Sequence, residues 1–339
     1  MMRDAPWLIT CVGVEHDLPL LPHFLRHYRA LGIAPDRFVI LLNAADAEHP
    51  GLARARAVIR DEGITRAAID WIAPYTSGSM WARRGAAQAE FCAPDAWVLN
   101  ADVDEFHRWP EPLADCLARA DALGVDCIQG VMIDRLAPGG VLAPVAPAPG
   151  IGTQFPIRAE VAQAIGGESQ VHGRGGTVKI MAAHGRLLPR RGGHRPLDES
   201  GVRYLYRNPL GEFPQIDDPQ FRFRVPTTVE HVHWTAELAA RLELRLATPG
   251  VSPAGAEYGR RQLDHIAAHG GISLADVALA PRLARDADRA DGTIAPVRPS
   301  VPADGAEDWP QALARMRRAG RVRGAIGIAR AGARRVLGR

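Results

Sequence analysis

Lysine is almost missing from this chain: of 41 basic residues only Lys179 is a lysine, and the rest are arginines. Such a bias reflects coding composition, so the surviving lysine reads either as a mild sign of a chemical need or, equally, as chance. It lies in the apolar stretch Val178–Met181, where it would hold a phosphate or pair with an active-site carboxylate. Cysteine is also scarce. Cys11, Cys92, Cys116 and Cys127 show neither C-x-x-C spacing nor a secreted disulfide pattern, which argues against a dithiol centre or a disulfide scaffold. Cys11 and Cys127 fall in apolar runs and read as buried free thiols. No apolar run approaches membrane-spanning length, and Trp7–Val14 is too short for a signal core, so a reducing cytoplasm is the expected compartment. There is no internal repeat. Basic and aromatic residues are not interleaved as a stacking platform requires, so no nucleic-acid partner is expected.

What is present is a chain of 339 residues, 47% hydrophobic and 23% charged, enough for a sizeable core as one large domain or as one domain plus an appendage. The net charge of +3 hides an asymmetry. Residues 310–339 hold nine arginines and no acid, which leaves −6 on the remainder. Leu313, Met316, Val322, Ile326, Ile328 and Val336 share that segment with the arginines. The composition suits either an amphipathic helix on an anionic membrane or a helix packed on the domain. The organisation read from sequence is a main domain over 1–245, a helical extension over 246–291, a Pro/Gly-rich linker over 292–309 and the basic segment over 310–339.

The first half alternates strand and helix. Strands are expected at Trp7–Gly13, Arg37–Leu42, Ile69–Ile72 and Trp97–Leu99. Helices are expected at Leu18–Leu31, Gly51–Glu62 and Ser79–Cys92, the last opened by a Ser cap. A helix at Pro112–Leu123 and a buried strand at Val125–Ile133 follow. The later pattern loosens into a loop over 135–155, a hairpin of Thr177–Ala182 with Arg186–Pro189, a turn at Gly192-Gly193-His194, and helices from Ala236, Tyr258 and Leu274. Alternation of this kind implies βαβ units, right-handed crossovers and a mainly parallel sheet, whose ligands bind beyond the carboxyl ends of the strands.

At one such end lies Asp102-Val103-Asp104-Glu105-Phe106. In an extended chain Asp102 and Asp104 would project to one side, and two hard oxygen ligands suit Mg²⁺ or Mn²⁺ shared with a diphosphate. The bland alternative is a polar turn in which Asp104 or Glu105 caps a helix. Gly13–His16 and Asn43 fall at neighbouring strand ends.

These residues, together with Glu15, Leu21, Phe24, His27-Tyr28, Leu31-Gly32, Phe38, Ile40, Asn43, Trp97–Phe106, Asp134-Arg135, Phe155-Pro156, Thr177–Ile180, Gly192-Gly193-His194 and Glu230–Trp234, resemble the family-two-like bacterial glycosyltransferases of the GT-A type over roughly residues 7–245. The usual Asn before the glutamate after strand one is replaced, since the loop reads Val14-Glu15-His16-Asp17. The resemblance implies a GT-A (Rossmann-like) fold and a metal-dependent transfer, by inversion, from a nucleotide-sugar donor to a saccharide or lipid-linked acceptor of the cell envelope. Asp104 would be the direct Mn²⁺ or Mg²⁺ ligand, with Asp102 reaching the ion through water or touching the ribose. Glu105 would lie behind the ligands or start a helix. Glu15, Asn43, Arg83 (or Arg84) and Lys179 would contact the nucleotide and its diphosphate.

Similar enzymes add a histidine ligand. His194 is the first candidate and is otherwise a surface-turn residue. His231 and His233, two apart beside Trp234, form a paired site, stack on the indole, or cap the next helix. His172 and His184 carry no pattern. Inverting transfer needs a base, for which Asp134, read as closing a strand, comes first, with a loop pair or Asx turn as its alternative, and Glu230 second. Competing classes are a nucleotidyltransferase, disfavoured because Gly13–Asp17 is no Lys-containing Gly-rich loop, and an inactive nucleotide-sugar-binding relative. A site at the inner face of the membrane, through 310–339, is the alternative to a free cytoplasmic protein.

Overall fold

The computed structural model describes residues 5–166, 178–205, 223, 225, 227–276 and 279. The readings that concern His172, Thr177, most of the helix expected from Leu274, the linker and the basic segment lie outside these residues.

The N-terminal alternation is present as read. β1 (Trp7–Gly13), β2 (Phe38–Ala44), β3 (Ile69–Ile72) and β4 (Trp97–Asn100) are linked through α1 (Leu21–Ala30), α2 (Pro50–Asp61) and α3 (Ser77–Phe91). Side chains on a strand alternate between faces. Leu8, Val12, Ile40, Leu42, Trp97 and Leu99 therefore join Leu21, Phe24, Leu52 and Ala55 of α1 and α2. Trp7, Ile9, Val39 and Val98 pack with Ala87 of α3, while Cys11, Leu41 and Trp71 pack with Met80 and Trp81 of the same helix. Nearly continuous hydrophobic runs are what a parallel strand needs when both faces are covered. Each such Leu, Ile or Phe contributes about 1.5–3 kcal/mol.

The sheet continues through β5 (Glu105–Arg108), β6 (Cys127–Leu136), β7 (Ile157–Ala159), β8 (Val178–His184) and β9 (Thr228–His231). α4 (Leu113–Ala122) lies between β5 and β6; the short α5 (Ile151–Gln154) and α6 (Ala162–Gly166) flank β7. Strand order among the described residues is β3-β2-β1-β4-β8-β6-β9-β5, with β7 also on β6. β1 through β4 are parallel, as is β6 to β9, whereas β8 runs antiparallel to β4 and β6, β9 to β5, and β7 to β6. This is the Rossmann-like α/β arrangement that the GT-A resemblance implies. α7 (Leu238–Ala247) and α8 (Pro253–His269) close the far end. Leu238, Leu242 and Trp234 there share a core with Leu136, Ala159, Val161 and Ile272, and residue 245 falls inside α7.

Several local readings change. α3 is capped by Thr76, not Ser79: the Thr76 hydroxyl oxygen accepts the Ser79 N–H at 3.1 Å. β8 forms no hairpin with 186–189, because its partners are β4 and β6. β6 runs to Leu136, so Asp134 lies within a strand and is paired on both edges, with Ala159 and with His231. Glu105 begins a strand rather than a helix.

Candidate active site

A cleft of about 520 Å³ opens over the carboxyl ends of β1, β2 and β4, bringing together Gly13, Asn43 and Asp102, and is bounded across the sheet by Lys179, Asp134 and His231 and from α7 and α8 by Arg241 and Tyr258. Two features of the register assemble it. Antiparallel β4 and β8 pair Trp97 with His184, and continuing that register brings Lys179 level with Asp102. β9 lies between β5 and β6 and sets His231 opposite both Glu105 and Asp134.

The acidic motif is a turn. The Glu105 N–H donates to the Asp102 carbonyl at 2.9 Å, so the extended geometry that would point both aspartates one way is absent, and they take different partners. Asp102 Oδ1 accepts from Arg84 Nη2 at 2.6 Å, and Lys179 Nζ lies 3.4 Å from Asp102 Oδ2 and 2.7 Å from Glu105 Oε1. Glu105 Oε2 in turn accepts the Asp102 N–H at 3.1 Å. Burial works against the charged Lys179, but Glu105 and Asp102 more than offset it and its pKa is raised. Burial likewise disfavours charge on Asp102, yet Lys179 and Arg84 hold its carboxyl below the usual range.

Asp104 faces the other way. The Val232 N–H donates to the Asp104 carbonyl at 2.8 Å, which fixes the turn between His231 and His233. One ligand atom each from Asp104, His231 and His233 lie within 4.8 Å of one another. His231 Nε2 is 3.6 Å from Asp104 Oδ2, and its Nδ1 is 3.5 Å from Asp134 Oδ1. Arg241 Nη1 donates to Asp104 Oδ2 at 3.2 Å, and its Nη2 lies 3.0 Å from His233 Nδ1. Arginine has no acceptor, so His233 Nδ1 carries a lone pair and its Nε2–H donates to Gln262 Oε1, 3.1 Å away. Burial disfavours the imidazolium of His231, but Asp104 and Asp134 overcome this and push it up to about 10. Burial, and then His231, keep His233 neutral, its pKa well below the ordinary value. Asp104 is buried, yet His231 and Arg241 hold it well below the carboxylate range.

The sequence-predicted residues divide. Glu15, Asn43, Asp102, Asp104, Asp134, Lys179 and His194 line the cleft. Asn43 does so as a brace, its Nδ2 donating to the carbonyls of Trp71 and Ala73. Arg83 is exposed and stacks on Trp71, whereas Arg84 is buried and points at Asp102, so the inward arginine is 84. His194 follows Gly192 and Gly193, both at positive φ as the turn requires. Its Nδ1 sits 2.6 Å from the Val178 carbonyl, and the cluster around Asp104 contains His231 and His233 instead. Asp134 Oδ2 accepts the N–H groups of Val161 and Ala162, both at 2.8 Å. Glu230 does not line the cleft: it is buried among Arg158, Arg135 and Arg108 at 3.1, 3.4 and 3.9 Å.

Two cleft residues, Arg241 and Asp17, and one behind the cleft, Gln262, escaped the sequence reading. Arg241 is one of forty arginines and Gln262 one of nine glutamines with no motif around it, so neither carries a signal. Asp17 did carry one, in the departure of the Val14–Asp17 loop from the family pattern. Its Oδ2 accepts the Gly13 N–H at 2.7 Å, and burial pushes it up to about 6.

No family model matches the chain, and no curated protein matches it. Among solved structures, the crystal structure of S. aureus TarS 1-349 is similar at a TM-score of 0.32 and 12% identity, over 79% of this chain and 74% of that one.

Proposed function

We propose that the chain is a metal-dependent glycosyltransferase that moves a sugar from a nucleoside-diphosphate donor to a saccharide or lipid-linked acceptor. The observation that carries the reading is the meeting of Asp104 with His231 and His233 inside the large cleft at the carboxyl ends of the sheet. One carboxylate with two imidazoles suits Mn²⁺ better than Mg²⁺, which prefers oxygen. The donor chemistry also fits a bound ion. Gln262 takes the Nε2–H of His233 and so keeps its Nδ1 a lone-pair donor, met here by Arg241; Asp134 faces Nδ1 of His231 and leaves Nε2 on the Asp104 side. When bound, the ion would neutralise charge developing on the departing diphosphate.

The protein's own groups complete the picture. Arg84 and Lys179 fix the Asp102 carboxylate at the strand end where the donor would lie, and Glu15 and Asn43 flank that end. Asp134 acts through His231 rather than by taking the acceptor proton, since Oδ2 is committed to two backbone donors and Oδ1 faces the imidazole. No helix among the described residues is long and apolar enough to cross a membrane. We place the protein in the cytoplasm, with residues 310–339 as a contact for an anionic membrane face.

The test is calorimetry of nucleoside diphosphates with and without Mn²⁺. Asp104→Asn should abolish metal-dependent binding with the fold intact. Gln262→Leu should weaken Mn²⁺ by roughly 10–100-fold, the usual cost of losing the partner behind a ligand, whereas His194→Ala should leave the metal titration unchanged. An unchanged titration in Asp104→Asn would sink the reading.

A further inference from the structure

Arg241 reaches the cluster from outside the sheet, on α7. Its guanidinium touches two atoms that a metal would need: Asp104 Oδ2 at 3.2 Å from Nη1 and the lone pair of His233 Nδ1 at 3.0 Å from Nη2, with Asp17 Oδ1 4.0 Å from the same Nη1. The single lone pair of His233 Nδ1 cannot serve a guanidinium and a cation at once, and two positive charges at one carboxylate repel. Arg241 is about a quarter exposed and therefore free to swing into the open cleft, while α7 is anchored separately by the buried Leu238 and Leu242.

We propose that Arg241 is a resident counter-cation: it satisfies Asp104 and His233 in the metal-free protein, and a divalent ion binds only by displacing it. The proposal rests on the reading of Asp104, His231 and His233 as the metal site. It assigns α7 a role the sequence does not show. The helix carries a positive charge that keeps the acidic turn folded without metal and lowers the site's affinity for free ions. The displaced guanidinium would remain in the cleft, where it can meet an anionic ligand.

Mn²⁺ titrations of the full-length chain, read by calorimetry and by loss of the free-ion paramagnetic resonance signal, test this without any assay of turnover. Arg241→Gln and Arg241→Met, checked for folding by thermal melting, should each bind Mn²⁺ roughly tenfold more tightly than the unaltered chain, a coupling of ordinary size between competing cations. Arg241→Lys, which keeps the charge, should stay close to the unaltered chain. A side chain that only supported the fold would, when removed, weaken binding or leave it unchanged, and either result in Gln and Met variants overturns the proposal while the metal site stands. If Mn²⁺ binds neither the unaltered chain nor the Arg241 variants, the metal reading falls and takes this proposal with it.

Discussion

Glu230 and His231 sit side by side on β9 and face opposite sides of the sheet, the imidazole toward the cleft and the carboxylate into a cluster of arginines. Burial alone would raise the Glu230 pKa, but Arg158, then Arg135 and Arg108, hold it down at about 2. Removing one member of a buried ionic cluster leaves the others uncompensated, so Glu230→Gln should cost about 3–5 kcal/mol in urea unfolding at neutral pH. The sign of its pH dependence follows from the lowered pKa. The native state binds this proton less readily than the unfolded chain, so the stabilisation is complete above the unfolded value near 4.5 and is lost as pH falls through about 2. The gap between variant and unaltered chain should therefore narrow on acidification. A gap independent of pH would mean that Glu230 works through shape alone.

At the scale of elements, α3 is the clearest case of a local signal with a distant consequence. The helix starts at Thr76, whose hydroxyl accepts the Ser79 N–H and donates to the Ser79 hydroxyl at 2.8 Å. Its first turns then carry Met80, Trp81 and Arg84 into the cleft wall. Trp81 lies so close to the turn before His194 that a Cβ on Gly193 would fall 2.7 Å from the ring. Thr76→Ala should lower stability by about 1 kcal/mol, as loss of an N-cap does. Because Arg84 and Trp81 depend on the same start, hydrogen exchange should rise first in the opening turn of α3. Uniform exchange across the helix would show that the tertiary contacts, not the cap, set where it begins.

For the whole molecule, charge separation is the property that structure does not touch. Residues 310–339 bring nine positive charges to a chain whose remainder carries −6. Each basic residue near an anionic surface contributes about 1 kcal/mol, within a Debye length of the headgroups. The full chain should float with vesicles containing anionic lipid and lose that behaviour at high salt, while a chain ending at Asp308 should stay in the soluble fraction. Equal partition of the two chains would rule out membrane docking through this segment.

The order of the first four strands and three helices could be read from residues 7–100, because a strand covered on both faces and an amphipathic helix leave their period in the sequence. The motif at Asp102–Phe106 and its place at a strand end were legible for the same reason. What could not be read was pairing between distant segments. β8 looked like half of a hairpin because nothing local reveals β4 and β6 as its partners, and Asp134 looked like the end of a strand because its continuation is enforced by β7. Sequence likewise offered His194, His231 and His233 as rival companions for Asp104. The β5–β9–β6 register places His231 beside it, His233 follows just past the end of β9, and α7 adds an arginine indistinguishable in sequence from any other. Local composition determines which segments become strands and helices. Hydrogen bonding across the sheet, which pairs segments as distant as Glu105 and His231, decides which of their side chains meet.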